Sequence, residues 1–175
     1  MAQLIMYWKN NHQPARELVL PQNVTVVRLP ELEGGVDAWL DIVQYDLTGT
    51  RRDHAYYVSC MVEHPNYKES DCFFLLEDGK PVATITVICD DAKKEGYIHM
   101  VGSDPDYRGK GYGTLLNVIA ERELKERGME TAYLTTDDWR IPAIKSYLRA
   151  GFYPDLDKES DYKERWVKIY EKIGR

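Results

Sequence analysis

The sequence predicts an α/β (α+β) protein with a mixed central sheet of about six to seven strands and helices on both faces. Apolar runs of strand length recur along the chain, and segments with apolar residues at helical spacing separate several of them. One strand–helix–strand unit spans residues 97–136, and a connection of this length predicts that the strands at 97–103 and 131–136 are parallel.

The N-terminal part of the chain predicts two strands and two helices. Residues 3–8 are expected to form a short edge strand and residues 10–22 a loop. The β-branched run at 24–29 favours a strand. Apolar residues at helical spacing predict a first helix at 36–43, and a second helix is expected at 54–62.

The middle of the chain predicts a hairpin. Asp78 and Gly79 separate two apolar runs at 72–77 and 80–89, and both turn residues tolerate positive φ. A second polar turn then leads to the run at 97–103. Three sequential antiparallel strands are therefore expected here.

The C-terminal part alternates helices and strands. An amphipathic helix should end near Gly128, followed by a strand at 131–136. A short helix is expected at 141–150, a strand opens at 152–153, and residues 166–169 (WVKI) are expected to form the final strand.

Composition indicates one globular domain over residues 1–175, with 1–23 as an N-terminal extension. A net charge of −6 and a pI near 5.3 argue against a dedicated nucleic-acid binder. We expect no membrane partner and a cytoplasmic location, because the sequence shows neither a membrane-length apolar run nor a signal-peptide pattern. Cys60, Cys72 and Cys89 are expected to be reduced core residues, not a disulfide frame or a metal site.

A glycine-rich basic turn lies between the strand at 97–103 and the following helix. Its residues are Arg108, Gly109, Lys110, Gly111, Tyr112, Gly113 and Thr114. Alternate glycines let backbone approach a ligand, and the start of a helix attracts anions, so the turn suits a phosphate-bearing ligand. The spacing fits neither a Walker loop nor a dinucleotide fingerprint. The alternative is a flexible surface turn with incidental charges.

This turn resembles motif A of the GNAT N-acetyltransferase superfamily, whose pattern is [QR]-x-x-G-x-[GA]. Arg108, Gly111 and Gly113 fill that pattern. The resemblance covers about residues 24–170 and implies the GNAT fold, in which the strands at 97–103 and 131–136 splay apart. It also implies that main-chain amides of the turn bind the pyrophosphate of acetyl-CoA.

A second family signature, N-x-x-A-x-x-x-Y-x-x-x-G-F, is matched at Ala143, Tyr147, Gly151 and Phe152. The resemblance implies that Tyr147 donates a proton to the CoA thiolate as a general acid. By residue type alone, Tyr147 would be a core tyrosine. The family's Asn is replaced by Arg140, which could reach a CoA phosphate or cap a surface turn.

The strand before the turn is expected to hold the reacting end of the ligand. By resemblance, the backbone amides of Val101, Gly102 and Ser103 contact pantetheine and stabilise an oxyanion. His99 lies two residues before Val101 and so on the same strand face, which makes it a candidate base. Asp137 and Asp138 are reserve candidates that could equally cap the next helix.

The resemblance implies an acetyl-CoA-dependent N-acetyltransferase in which the amine attacks the thioester directly in a ternary complex, without a metal. The expected acceptor is a small-molecule amine, a protein N-terminus or a lysine, and the protein is expected to be a monomer or homodimer. The alternative is a non-catalytic acyl-CoA-binding sensor or regulatory module, which the replacement by Arg140 and the lack of a matching carboxylate base favour.

Overall fold

The computed structural model describes residues 2–174 as alternating strands and helices. The strands are β1 (Leu4–Lys9), β2 (Val24–Arg28), β3 (Cys72–Glu77), β4 (Lys80–Asp90), β5 (Glu95–Ser103), β6 (Thr131–Thr136) and β7 (Tyr153–Pro154). The helices are α1 (Gly35–Val43), α2 (His54–Tyr57), α3 (Tyr112–Glu126), α4 (Ile141–Arg149) and α5 (Tyr162–Ile173). Wider helical turns at 44–48 and 58–62 extend α1 and α2.

Within residues 2–174 the strands form one seven-stranded mixed sheet in the order β2-β3-β4-β5-β6-β1-β7. Strands β5 and β6 are parallel, and their pairing runs from Glu95 opposite Thr131 to Ile98 opposite Leu134. The later residues of both strands do not pair with each other in this register, so the strands splay. The mixed sheet and its parallel, splayed central pair confirm the predicted fold.

Helices cover both faces of the sheet with two separate apolar cores. The larger core joins α3, α4 and α5 to one face, through residues such as Leu116, Tyr147 and Trp166. The smaller core lies on the other face of the sheet. There α1 and the α2 segment pack, around Trp39 and Met61, on the half of the sheet that contains β2. Since α1 and α3 flank β5 from opposite sides, β5 is positioned by both cores.

The predicted N-terminal strand exists, but the prediction that it lies at the sheet edge is wrong. Strand β1 lies between β6 and β7, antiparallel to both. Leu4, Met6 and Trp8 point to one face and are at most 5% exposed. The alternation of large apolar side chains gives β1 a fully packed face, which suits an internal strand.

The prediction of a final strand at 166–169 is also wrong, because these residues lie inside α5. Tyr162, Trp166 and Ile169 are each 1% exposed, while Val167 is 56% exposed. Burial at positions i, i+4 and i+7 is the helical period, and the short run WVKI concealed it.

All three cysteines are free thiols; Cys72 and Cys89 are buried, as predicted, whereas Cys60 is only half-buried at the margin of the smaller core. Burial raises the pKa of the Cys72 and Cys89 thiols to about 11, so they are protonated at neutral pH. In the part of the chain described, no helix combines the length and the apolar character needed to cross a bilayer.

Candidate active site

A cavity of about 470 Å³ lies between the end of β5, the glycine turn and α4. It brings together most of the residues singled out from the sequence. Those lining it are Val101, Gly102, Ser103, Arg108, Gly109, Gly111, Tyr112, Gly113, Thr114, Arg140 and Tyr147. His99 and Lys110 are not among its lining residues.

The glycine turn presents backbone to this cavity. Gly109 and Gly111 have φ of 79° and 83°, in the left-handed region that favours glycine, and α3 begins at the next residue, Tyr112. Gly113 faces α4, where a Cβ would lie 3.4 Å from the Ser146 Oγ, at ordinary van der Waals contact. At the start of α3 the Thr114 amide already donates to the Gly111 carbonyl oxygen at 3.0 Å, so the amides ahead of it, at Tyr112 and Gly113, are the ones that can donate to an anion.

Both cations of the turn are already paired with carboxylates. Arg108 Nη2 lies 2.6 Å from Asp46 Oδ2 at the cavity wall, and Lys110 Nζ lies 2.6 Å from Glu77 Oε1. The Lys110 hydrogen bond, followed by that of Tyr112, lowers the pKa of Glu77. The positive charge expected from the sequence is therefore largely offset, and anion binding would rest mainly on the backbone amides.

Strand β5 is irregular at Met100 and Val101, directly before Gly102. Thr86 pairs with His99 and Thr84 with Gly102, so Met100 and Val101 both oppose Ile85. Met100 has a φ of 51°, which forms a β-bulge. The bulge exposes backbone of β5 at the point where β6 diverges from it.

The bulge also reverses the side-chain alternation, so the expectation that His99 and Val101 share a face is wrong. Val101 packs against the larger core and lines the cavity. The His99 Nε2 lies 3.2 Å from the Cys60 carbonyl oxygen, on the α2 side of the sheet. An extra residue between two positions shifts the period-two pattern by one, which sequence alternation could not register.

Arg140 projects into the cavity instead of capping α4. It is the residue before Ile141, but its side chain makes no cap hydrogen bond. Its Nη2 donates to the Val101 carbonyl oxygen at 3.2 Å. Arg140 thereby ties the start of α4 to the bulge of β5.

Tyr147 points from α4 into the same cavity and is 3% exposed. Its ring meets Phe152 at a centroid distance of 6.1 Å in an edge-on arrangement. Burial raises the pKa of Tyr147, with a smaller opposing effect from Arg140. The phenol is therefore protonated at neutral pH and can donate.

His99 is neutral at pH 7 because burial lowers its pKa to about 4. A carbonyl oxygen only accepts, so Nε2 donates to Cys60 and carries the ring proton. Nδ1 then accepts from the Tyr97 hydroxyl at 3.0 Å. His64 packs beside both rings, with centroid distances of 5.3 Å to Tyr97 and 5.7 Å to His99.

The two reserve carboxylates are engaged elsewhere. Asp138 accepts from Arg165 of α5, with an Oδ2 to Nε distance of 3.0 Å, and this pairing lowers the pKa of Asp138. Asp137 accepts from Gln3 Nε2 at 3.2 Å. Neither residue lines the cavity.

Sequence reasoning missed several cavity residues. Asp46, Asn117, Trp139 and Ser146 all line it. Asn117 is 4% exposed and donates to Ser146 Oγ at 2.8 Å, which joins α3 to α4. The sequence signal for Asn117 was an amide side chain one helical turn after Gly113. For Asp46, which lies far from the glycine turn along the chain, the sequence offered no signal.

Residues 37–152 match the model of the Acetyltransferase (GNAT) family. An uncharacterised N-acetyltransferase of Methanocaldococcus jannaschii is 30% identical over 112 residues, which cover 61% of this chain and 47% of that protein. The GCN5-related N-acetyltransferase from Sphaerobacter thermophilus superposes with a TM-score of 0.72 at 20% identity, over 89% of this chain and 50% of that one.

The ribosomal-protein-S18-alanine N-acetyltransferase from Escherichia coli gives a TM-score of 0.61 at 24% identity, over 74% of this chain and 77% of that one. At these identities the structural likeness establishes the fold. The chain spans about half the length of the archaeal relative and of the Sphaerobacter protein.

Proposed function

The chain belongs to the acetyltransferase (GNAT) family, and from this premise we propose that it transfers an acetyl group from acetyl-CoA to a primary amine. One observation carries the proposal: a single cavity joins backbone suited to an anion at one end to a buried, protonated phenol at the other. The amine attacks the thioester directly while both substrates are bound, and no residue is acylated on the way.

The glycine turn would hold the pyrophosphate. Gly109 and Gly111 turn the backbone inward, and the first turn of α3 adds donors with the favourable end of the helix dipole. Arg108 can add a charge-assisted hydrogen bond if it leaves Asp46, at 2.6 Å in this structure. The cavity volume of about 470 Å³ lies in the range of small-molecule sites.

The bulge and Tyr147 would carry the chemistry on the thioester side. Backbone amides around Val101–Ser103, which lie at the bulge and beyond the last β5–β6 pair, would stabilise the oxyanion of the tetrahedral intermediate. When the carbon–sulfur bond breaks, Tyr147 gives its phenolic proton to the leaving sulfur. Its raised pKa keeps that proton in place until the negative charge develops.

We propose that His99 removes the amine proton through Tyr97. The free lone pair of His99 points at the Tyr97 hydroxyl, so a proton passing from the amine to that oxygen moves the hydroxyl proton to Nδ1. The imidazolium that forms keeps its Nε2 hydrogen bond to the Cys60 carbonyl. A pKa near 4 makes this a transient proton carrier that returns the proton to solvent.

The proposal is tested by measuring CoA release over a panel of primary amines, for the wild type and for Tyr147→Phe. Loss of one positioned acid predicts that kcat falls by about a hundredfold or more, with the Kd for acetyl-CoA unchanged. Tyr57→Phe is the matched control, because Tyr57 is equally buried at 4% exposed but bonds to Tyr67 in the other core. Equal kcat values for Tyr147→Phe and wild type would contradict the acid role.

The competing function is an acyl-CoA sensor without turnover. One observation favours it: Arg140 donates to the Val101 carbonyl oxygen inside the cavity, at the strand end where the thioester is expected. Calorimetric binding of acetyl-CoA without acetylation of any amine in the panel would select the sensor.

A further inference from the structure

Trp139 is the one exposed tryptophan of the chain, whose four tryptophans all lie within residues 2–174. Its side chain is 63% exposed, whereas Trp8, Trp39 and Trp166 are at most 5% exposed. A single exposed apolar side chain needs no explanation on an open surface. Trp139, however, forms part of the cavity wall, so a ligand that enters the cavity can cover its indole.

The backbone on either side of Trp139 is held in place. Before it, Asp138 accepts from Arg165 Nε of α5 at 3.0 Å. After it, Arg140 Nη2 donates to the Val101 carbonyl oxygen at 3.2 Å. The indole is therefore carried on a fixed turn, and little conformational freedom is lost when a ligand covers it.

The wall beside Trp139 is apolar and adjoins the bulge of β5. Pro142 and Ala143, in the first turn of α4, line the cavity together with Val101. The Arg140 guanidinium carbon lies 5.9 Å from the centroid of the Trp139 ring and bonds to Val101, so the indole is on the bulge side of the cavity. Such a wall suits an uncharged chain of carbon atoms better than it suits a phosphate.

The glycine turn meets α4 farther along the helix. A Cβ on Gly113 would lie 3.4 Å from the Ser146 Oγ, which places the turn opposite Ser146. Ser146 comes five residues after Ile141, or about 8 Å along the axis of α4. The pantetheine arm of CoA joins the pyrophosphate to the sulfur, so a pyrophosphate at the glycine turn directs this arm along α4 towards Trp139.

We propose that Trp139 is a further substrate-binding residue, whose indole packs on the pantetheine arm of bound acetyl-CoA and holds that arm against the apolar wall. The inference rests on the proposed function for the identity of the ligand. It assigns Trp139 to the arm, and not to the nucleotide or to the acceptor amine. Since the turn that carries Trp139 is already fixed, the apolar contact contributes to affinity.

Tryptophan fluorescence of the whole chain tests this contact directly. The other three tryptophans are buried without a ligand, so a change in emission on binding reports on Trp139. CoA should shift the emission maximum to shorter wavelength, because it removes the indole from water. The matched ligand is 3′-phospho-ADP, which keeps the pyrophosphate but lacks the pantetheine arm, and it should bind without this shift. In Trp139→Phe the shift with CoA should disappear while calorimetry still detects binding.

Binding affinities test the same contact without a spectroscopic probe. Trp139→Ala should raise the Kd for CoA by about three- to tenfold and leave the Kd for 3′-phospho-ADP unchanged, whereas Trp139→Phe keeps a ring and should lose less. Tyr153→Ala is the matched control, because Tyr153 is also an exposed aromatic residue, at 49%, but does not line the cavity. The Tm of each variant without ligand checks that it is folded.

An equal emission shift with both ligands, or an equal rise of both Kd values in Trp139→Ala, would assign Trp139 to the nucleotide end and overturn the inference. A shift caused by a panel amine in the absence of CoA would assign it to the acceptor, with the same consequence. If CoA binds without a shift and with an unchanged Kd in Trp139→Ala, the inference is wrong and the proposed acetyl transfer still stands. Absence of any calorimetric binding of CoA contradicts the proposed function itself.

Discussion

Asp46→Asn should tighten the binding of CoA. The Asp46 carboxylate lines the cavity beside the glycine turn and holds Arg108 at 2.6 Å. In the proposed complex the Asp46 carboxylate repels the pyrophosphate and competes with it for the Arg108 guanidinium. Asparagine keeps the shape of the side chain and removes the charge.

The expected size follows from the surroundings of the pair. The Arg108 and Asp46 side chains are 44% and 37% exposed, so the solvent screens them strongly. Two unit charges about 6 Å apart in such a half-solvated site repel by about 1 kcal/mol. Losing the exposed ion pair lowers the free energy of unfolding by about 0–1 kcal/mol. It adds no repulsion between residue 46 and the pyrophosphate. The Kd for CoA should therefore fall by about fivefold.

Isothermal titration of CoA at low and high salt measures this effect. The gain should shrink as salt rises, because screening weakens the repulsion that the mutation removes. Asp41→Asn is the matched control: Asp41 also pairs with an arginine, Arg51 at 2.5 Å, but does not line the cavity. An unchanged or higher Kd in Asp46→Asn would refute the placement of the pyrophosphate beside Arg108.

Two further predictions concern the scaffold around the site. Gly96→Ala should lower the free energy of unfolding by about 1–3 kcal/mol in urea, since its Cβ would lie 2.1 Å from Leu124 Cδ2 of α3; the penalty should disappear in a Leu124→Ala background, and its persistence there would count against this contact. His99 should make the protein less stable in acid: its folded pKa is lowered from 6.5 to about 4, so the unfolded chain binds the proton first and stability is lost as pH falls from 6.5 towards 4. The loss at pH 5 should be about 2 kcal/mol and absent in His99→Gln; equal pH profiles would contradict the buried, neutral state of His99.

The sequence alone predicts correctly the elements that have a long periodic pattern or are bounded by characteristic turn residues. The Asp78-Gly79 turn and its two strands, the helix after the glycine turn, and the parallel pair β5 and β6 all appear as predicted. Each depends on local spacing or on a chain connection of fixed length. The cavity residues on the turn and on α4 were found for the same reason, since they lie in short contiguous motifs.

The failures arose where tertiary partners decide the outcome. Residues 166–169 are too few to separate a strand from a helix, and the burial of Tyr162 and Ile169 reveals the period. Strand β1 is internal because β7 joins its far side, which depends on residues about 145 positions away. The bulge at Met100 has no glycine to mark it, so the side of the sheet that carries His99 could not be read from alternation.

The most direct measurement is mass spectrometry of an amine panel incubated with acetyl-CoA and the wild-type protein, with CoA release followed in parallel. We predict that at least one primary amine gains one acetyl group, with CoA released in equal amount, and that Tyr147→Phe slows both signals together. Acetyl-CoA that binds the protein but remains intact with every amine would contradict an acetyltransferase and identify the cavity as a sensor site.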